Sequence, residues 1–312
     1  MGAAMQGRVA FVTGASRGIG KAIALRFAAE GASVAICSRP SPGMADLGTL
    51  EGARAEIEAL GADVVAIEAD LSDPTSGRGE LVDTVSAELG PVDVLVNNAA
   101  GGGYHAFMDW TDAQIERALQ LNFWAPWELI RAALPSMRER GRGSIINVSS
   151  ASAIQPPGPP FPESLTAWAG TVYGGTKAML DRWTVSLAAE VQRDGIAVNT
   201  LAPQAAAATE ALVAHATIPE HLYEPLDTMA EAAVVLATAD PEVLTGQVTY
   251  SLELLAALER HPLDLRGSTE LDGWEPASLG PRIEAMKASR AATGSRGSAN
   301  PYGIPSGPTS SG

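Results

Sequence analysis

Val9–Gly31 reads VAFVTGASRGIGKAIALRFAAEG. It opens on an apolar run of strand length, Val9–Val12, and from about Ile19 to Glu30 its apolar residues recur at helical spacing. Gly14, Gly18 and Gly20 lie between the two. A dinucleotide-binding turn requires this context: glycines permit a tight turn and close backbone approach, and a helix N-terminus offers free N–H groups and a partial positive charge to a pyrophosphate. The candidate cofactor contacts of the turn are Gly14, Ser16, Arg17, Gly18, Ile19 and Gly20. An ordinary structural turn is the plain alternative.

Outward from the turn, short apolar runs alternate with longer amphipathic stretches. Ser33–Cys37, Val64–Glu68, Val92–Val96, Ser144–Val148, Ile196–Thr200 and Gln247–Tyr250 read as strands. Helices are expected near Leu50–Leu60, Leu81–Leu89, Asp112 to about Arg138, around Tyr173 and Lys177, and over Thr228–Ala239. Continuous apolar strands such as VDVLV and SIINV suit a sheet buried on both faces. The expected fold is α/β: a single Rossmann-type, doubly wound parallel sheet of about seven strands, with helices on both faces. We expect one catalytic domain over 1–290 and a disordered Ser/Gly/Pro-rich tail over 291–312, whose composition cannot offset its ordering entropy.

The end of the second strand reads ICSRP. A carboxylate there would accept the ribose hydroxyls of NAD, and none is present; Arg39, with Arg17, offers guanidinium groups to a 2′-phosphate. NADP(H) is therefore favoured over NAD(H).

Tyr173 and Lys177, in TVYGGTK, share one helix face. A phenol donates a proton readily near neutral pH if a positive charge lowers its pKa, and moving it from about 10 to about 7 takes roughly 4 kcal/mol of preferential phenolate stabilisation. Lys177 is the expected source of that charge. Hydride transfer between a nicotinamide and a carbonyl carbon leaves charge on oxygen that a proton must meet, and Tyr173 is the candidate donor.

The 21 basic and 36 acidic residues leave a net charge of −15, which opposes nonspecific binding to nucleic acid or an anionic membrane. One cysteine, Cys37, cannot form an internal disulfide. No apolar run is long enough to span a bilayer and no signal-peptide pattern is evident, so we expect a cytoplasmic protein without a membrane or nucleic-acid partner. His215 and His221 are spaced unsuitably for a shared helix face, and no metal site is expected.

Taken together, TGASRGIG, Asp70-Leu71, Asn97-Asn98-Ala99, Asn122, IINVSS and Tyr173/Lys177 resemble the short-chain dehydrogenase/reductase family, over about residues 5 to 250. The resemblance implies reduction of ketones or oxidation of secondary alcohols. It implies Tyr173 as proton donor and acceptor, and Lys177 on the nicotinamide ribose. Ser150 would orient the substrate oxygen, with Ser149 or Ser152 as substitutes if the register differs, and Asn122 would complete a proton relay. Asp70 and Leu71 would contact the adenine, Asn97 and Ala99 would flank the adenosine ribose, and Pro203 would lie near the nicotinamide.

The chain departs from the family pattern in several places. Between Ser150 and Tyr173 stand 22 residues, 151–172, with Pro156, Pro157, Pro159, Pro160 and Pro162; they suggest a lid, on which Phe161 and Trp168 could face an apolar ligand. A second insertion, PSPGMADLGTLEGAR (Pro40–Arg54), follows the second strand near the adenosine end. Pro203-Gln204 replaces Pro-Gly, Thr209 is displaced, and Ala100 replaces the glycine of NNAG, which is tolerable if its φ is negative. A substrate loop is expected over about 204–228. These features resemble a divergent branch that includes citronellol-dehydrogenase-like and hydroxysteroid-dehydrogenase-like proteins, and imply a lipophilic alcohol or carbonyl substrate. In relatives the long helices around Asn122 and Tyr173 form homodimer and homotetramer interfaces, and Trp124, Trp127 and Trp183 lie on these helices here. The alternative is a cofactor-binding regulatory protein without turnover.

Overall fold

The computed structural model describes residues 3–155, 161, 170–215 and 223–271. The chain begins with β1 (Val9–Thr13), α1 (Gly18–Ala29), β2 (Ser33–Ser38), α2 (Leu50–Glu58), β3 (Val64–Glu68), α3 (Arg78–Glu88) and β4 (Val94–Asn97). It continues through α4 (Asp112–Leu119), α5 (Ala125–Arg140), β5 (Gly143–Val148), α6 (Thr171–Val191), β6 (Ile196–Ala202), β7 (Ala206–Ala207) and α7 (Glu210–His215). Then come β8 (Tyr223–Glu224), α8 (Leu226–Thr238), β9 (Val248–Tyr250) and α9 (Ser251–Ala257).

Seven strands form one sheet in the order β3-β2-β1-β4-β5-β6-β9, and every pairing is parallel. The order reverses between β1 and β4, which opens the crevice where α/β sheets bind ligands. Every residue of β1, β4, β5 except its first, and β6 is buried, which explains their uninterrupted apolar runs. Alternation along β1 sends Ala10 and Val12 to one face and Val9 and Phe11 to the other. The first face is covered by α1, α2, α8 and α9, and the second by α3, α5 and α6. Each large aliphatic side chain so covered contributes roughly 1.5–3 kcal/mol.

The helix expected from Asp112 to about Arg138 is broken. α4 starts on a capping box between Thr111 and Gln114, and a π-helical turn over Gln120–Trp124 separates it from α5. The reason is local. Pro126, in the first turn of α5, has no N–H to return to the carbonyl of Asn122, and the Ala125 N–H reaches back five residues to Gln120. A two-strand parallel ladder, β7–β8, also forms where a loop was expected. Ala100 avoids positive φ, since Glu259 is the one non-glycine residue in that region among those described. The proline cluster and Trp168 of the 151–172 insert, His221, and the 291–312 tail lie outside the described residues; Phe161 is exposed.

Candidate active site

β4 and the glycine turn are stapled at the switch point. Thr13 Oγ1 accepts the main-chain N–H groups of Asn98 and Ala99, each at 3.0 Å, and Asn98 Nδ2 donates to the carbonyls of Thr13 (2.8 Å) and Gly14 (3.1 Å). This packing dictates glycine at two positions. A Cβ on Gly14, at φ 65°, would stand 2.8 Å from Ala99 Cα, and one on Gly20 would stand 2.4 Å from Asn98 Nδ2. Asn98 is thus the side chain that shapes the turn. Gly18 opens α1, and its N–H donates to Glu210 Oε2 at 2.9 Å. A carboxylate stands where a helix N-terminus would receive a phosphate, so the turn holds an anionic group here already.

Beside the glycine turn and the end of β2 a cleft of about 270 Å³ is lined by Ser16, Arg17, Ser38 and Arg39, and also by the carboxylate-bearing Glu51 and Glu68. Arg39 is exposed, whereas Arg17 Nη1 donates to the Met44 carbonyl at 2.9 Å. Gly48, at φ 126°, lies so close to the turn that a Cβ there would meet the Ser16 carbonyl at 2.8 Å. The Pro40–Arg54 insertion therefore folds down onto the glycine turn. Asp70 Oδ1 accepts from the Ser72 main chain (2.9 Å) and hydroxyl (2.6 Å), and Oδ2 faces Arg117 at 3.4 Å. Partial burial pushes the Asp70 carboxyl up, but the Ser72 hydrogen bonds and the Arg117 charge outweigh it and hold the group below the usual range. Leu71 is buried beside it. Asn97 ends β4 with its side chain turned inward. Its Nδ2 donates to Asn147 Oδ1 at 2.8 Å, and Asn147 in turn donates to Thr184 at 2.9 Å, so the side chain faces the core and leaves only the main chain to face a ribose.

Ser150 follows β5, and Tyr173 and Lys177 lie in the first turns of α6. The Ser150 hydroxyl is hydrogen-bonded to the Tyr173 phenol and accepts from Ser152 Oγ at 2.9 Å. Ser149 instead is buried, with no partner for its hydroxyl among the described residues. Gly174 permits this approach, because a Cβ there would stand 2.6 Å from the Ser152 carbonyl. Lys177 is buried, donates to the Val148 carbonyl at 2.7 Å, and holds its ammonium 5.8 Å from the Tyr173 ring centroid. Asn122, in the π turn, clasps the main chain of Gly101 in both directions (2.7 and 3.0 Å) and donates to Thr176 Oγ1 at 3.0 Å. It reaches the helix of Tyr173 and Lys177 through Thr176. Tyr104 packs edge-on against Tyr173, ring centroids 5.6 Å apart.

The electrostatics correct one expectation. Burial, with a smaller contribution from Tyr104, pushes the Tyr173 phenol up to about 12 against the opposing Ser150 hydrogen bond. Lys177 does not lower it here: the ammonium lies over the ring and is itself depressed to about 8 by burial, which the Asp181 charge only partly offsets. Cys37 is fully buried, and burial pushes its thiol up to about 12, so it packs as an inert apolar residue. Pro203 lies between the end of β6 and the buried Gln204. Among the described residues, no group of three or more His, Cys, Asp and Glu side chains is placed to hold a metal, and no helix is long and apolar enough to cross a membrane.

A parallel sheet with a dinucleotide turn at its switch point and a Ser–Tyr–Lys set beyond the next strands defines a nicotinamide-dependent oxidoreductase class. The chain belongs to the short chain dehydrogenase family, whose model matches residues 8–217. It is 37% identical over 201 residues to a short chain dehydrogenase of Pseudocercospora fijiensis, covering 64% of this chain and 60% of that protein. It is 35% identical over 200 residues to the L-rhamnose 1-dehydrogenase (NAD(P)(+)) of a Sphingomonas species, covering 64% and 72%. A Burkholderia cenocepacia short chain dehydrogenase solved in complex with NADP shares 31% identity at a TM-score of 0.64, covering 79% of this chain and 96% of that one.

Proposed function

We propose that the protein transfers hydride between NADP(H) and an apolar alcohol or carbonyl compound, with Tyr173 as general acid and base. The observation that carries this reading is the meeting of Ser150 and Lys177 at the Tyr173 side chain, with the Lys177 ammonium 5.8 Å from the ring centroid and the Ser150 hydroxyl opposing the upward shift of the phenol. When bound, the dinucleotide supplies or receives the hydride. In the reducing direction Ser150 holds the substrate oxygen against Tyr173, whose phenol, titrating near 12, is fully protonated at neutral pH and gives its proton to that oxygen. Lys177, with its ammonium 5.8 Å from the ring centroid and hydrogen-bonded to the Val148 carbonyl, borders the phenolate left behind. Oxidation runs the same transfers backwards, with Tyr173 receiving the alcohol proton. Asn122 holds Gly101 and Thr176, which keeps the loop after β4 and the helix of Tyr173 and Lys177 in fixed relation.

An apolar substrate is supported by Tyr104, Phe107 and Met108, exposed on the loop that reaches Tyr173, and by exposed Phe161 in the insert. The relatives' names do not narrow the substrate. Arg17, Arg39 and Ser38 around one cleft support NADP(H) over NAD(H), as does the NADP in the Burkholderia structure. An aromatic cluster of Phe123, Trp127 and Trp183, with Trp124 and Trp127 partly exposed, supports a homodimer or homotetramer built on α5 and α6. A cytoplasmic site of action follows from the same reading.

Tyr173→Phe tests the chemistry: NADPH-coupled turnover of lipophilic carbonyls should fall by about 100-fold or more, with dinucleotide affinity within twofold of wild type. Retained turnover in the variant would sink the reading.

A further inference from the structure

Glu224, at the end of β8, is fully buried. Oε2 accepts the main-chain N–H groups of Gln204 (2.8 Å) and Ala205 (3.0 Å). Oε1 accepts the Thr228 hydroxyl at 2.7 Å and the Ser251 hydroxyl. The residue's own carbonyl accepts the Ala208 N–H at 2.8 Å, and Ala207 pairs with Glu224 in the β7–β8 ladder. One side chain and its main chain thus tie down residues 204 to 208. Gln204 is also buried, and its Oε1 accepts the Glu253 N–H at the start of α9.

The tethered segment has a defined course. It leaves Ala202, which packs with Tyr250 against Ala151 and Ile154 beside the Ser150 turn. It ends at Thr209 and Glu210, which touch Gly18 in the glycine turn. Residues 203–210 therefore run between the two ends of the site, from the Ser150–Tyr173 pair to the anion-holding turn. A dinucleotide held by the turn and reaching Tyr173 would pass along this segment, and residues 203–208 would border its nicotinamide half. The departures at Pro203-Gln204 belong to the same arrangement, since the side chain of Gln204 is spent on α9 and its N–H on Glu224.

We propose that Glu224 is a positioning residue for the nicotinamide half of the cofactor: its carboxylate fixes the main chain at Gln204 and Ala205, on the line from the glycine turn to Tyr173. The inference rests on the dinucleotide reading given above. Burying a carboxylate is costly, and desolvation pushes this one up; the hydrogen bonds of Ser251, Ala205, Thr228 and Gln204 oppose it. Four donors converging on two oxygens satisfy the group without a cation, a geometry that an apolar residue cannot reproduce. The Thr228 and Ser251 contacts hold the carboxylate to α8 and α9, and the two main-chain N–H contacts join it to the segment beside the site.

The test compares wild type, Glu224→Ala and Glu224→Asp for binding of NADPH and of adenosine 2′,5′-bisphosphate, which carries the adenosine half alone. Circular dichroism and thermal melts establish that each variant is folded. For Glu224→Ala the NADPH dissociation constant should rise at least tenfold while that of the bisphosphate stays within twofold; Glu224→Asp, which retracts the carboxylate by one methylene, should follow the same pattern and stands in if the alanine variant does not fold. Equal weakening of both ligands, or no weakening of either in a folded variant, overturns the proposal. Wild-type protein that binds neither ligand refutes the dinucleotide reading instead, so the two failures are distinguishable.

Discussion

Replacing Glu210 by alanine should tighten dinucleotide binding, because its carboxylate engages the donor at the start of α1 that a pyrophosphate oxygen would take. The Gly18 N–H donates to Glu210 Oε2 at 2.9 Å, and this contact has to break before a phosphate can take the same donor. A hydrogen bond to a charged group contributes on the order of 1.5–3 kcal/mol, and a charge at a helix N-terminus about 0.3–1 kcal/mol. Glu210 is only partly buried, so solvent screening reduces both. A competing contact worth roughly 1–1.5 kcal/mol corresponds to about 5- to 12-fold in affinity. Fluorescence titration with NADPH, at low and at moderate salt, measures it. Glu210→Gln, which keeps an acceptor and loses the charge, should gain less than Glu210→Ala, and the gain should shrink as salt rises. Unchanged affinity in a folded Glu210→Ala variant would refute the argument. Weaker binding would refute it more strongly, by showing that Glu210 holds α7 in the bound state rather than competing with the ligand.

Three further outcomes follow from the same geometry. Arg39→Ala should weaken NADPH by about tenfold, about 1.4 kcal/mol, and leave NADH unchanged in parallel titrations; equal loss for both would remove Arg39 from the 2′-phosphate. Lys177 titrates near 8 in the folded chain against an ordinary 10.5, so between these values the unfolded chain binds more protons and stability rises with pH. That contribution is present above the unfolded value and is lost as pH falls through about 8, so the unfolding free energy of wild type minus that of Lys177→Met should rise by up to roughly 3 kcal/mol between about pH 7 and pH 10 in urea melts. A flat difference would contradict the burial of the ammonium. Gly174→Ala would drive a Cβ to 2.6 Å from the Ser152 carbonyl and push the Ser150 turn away from Tyr173; turnover should drop by about tenfold or more with NADPH affinity kept, in line with the cost of misplacing reacting groups.

Much of this site is legible because its signals are local. A glycine turn between a strand and a helix, a strand buried on both faces, and a tyrosine and lysine on one helix face are each spelled within a few residues, so periodicity and spacing reveal them. The alternation of strands and helices pointed to the fold class, and motif spacing offered the turn, Tyr173, Lys177 and the arginine that follows β2 as candidates. The insertion after β2 was visible as extra length, but its seat on the turn depends on the Arg17–Met44 contact and on Gly48.

Only the tertiary structure decided what joins distant stretches. Glu210 meets Gly18 across 192 positions, Asn98 clamps Thr13 across 85, and Glu224 gathers Gln204, Thr228 and Ser251 around one buried carboxylate. Asn97 turned inward because Asn147 lies opposite it on the neighbouring strand. The Tyr173 phenol went up rather than down because burial, which no spacing encodes, raised it, while the lysine that shares its helix face aims at the Val148 carbonyl. Sequence by itself determined which elements form and which side chains could react, since those depend on neighbours along the chain. Folding decided which groups face one another and how dry they are, since those depend on neighbours in space, and the charge state of this site depends on the latter.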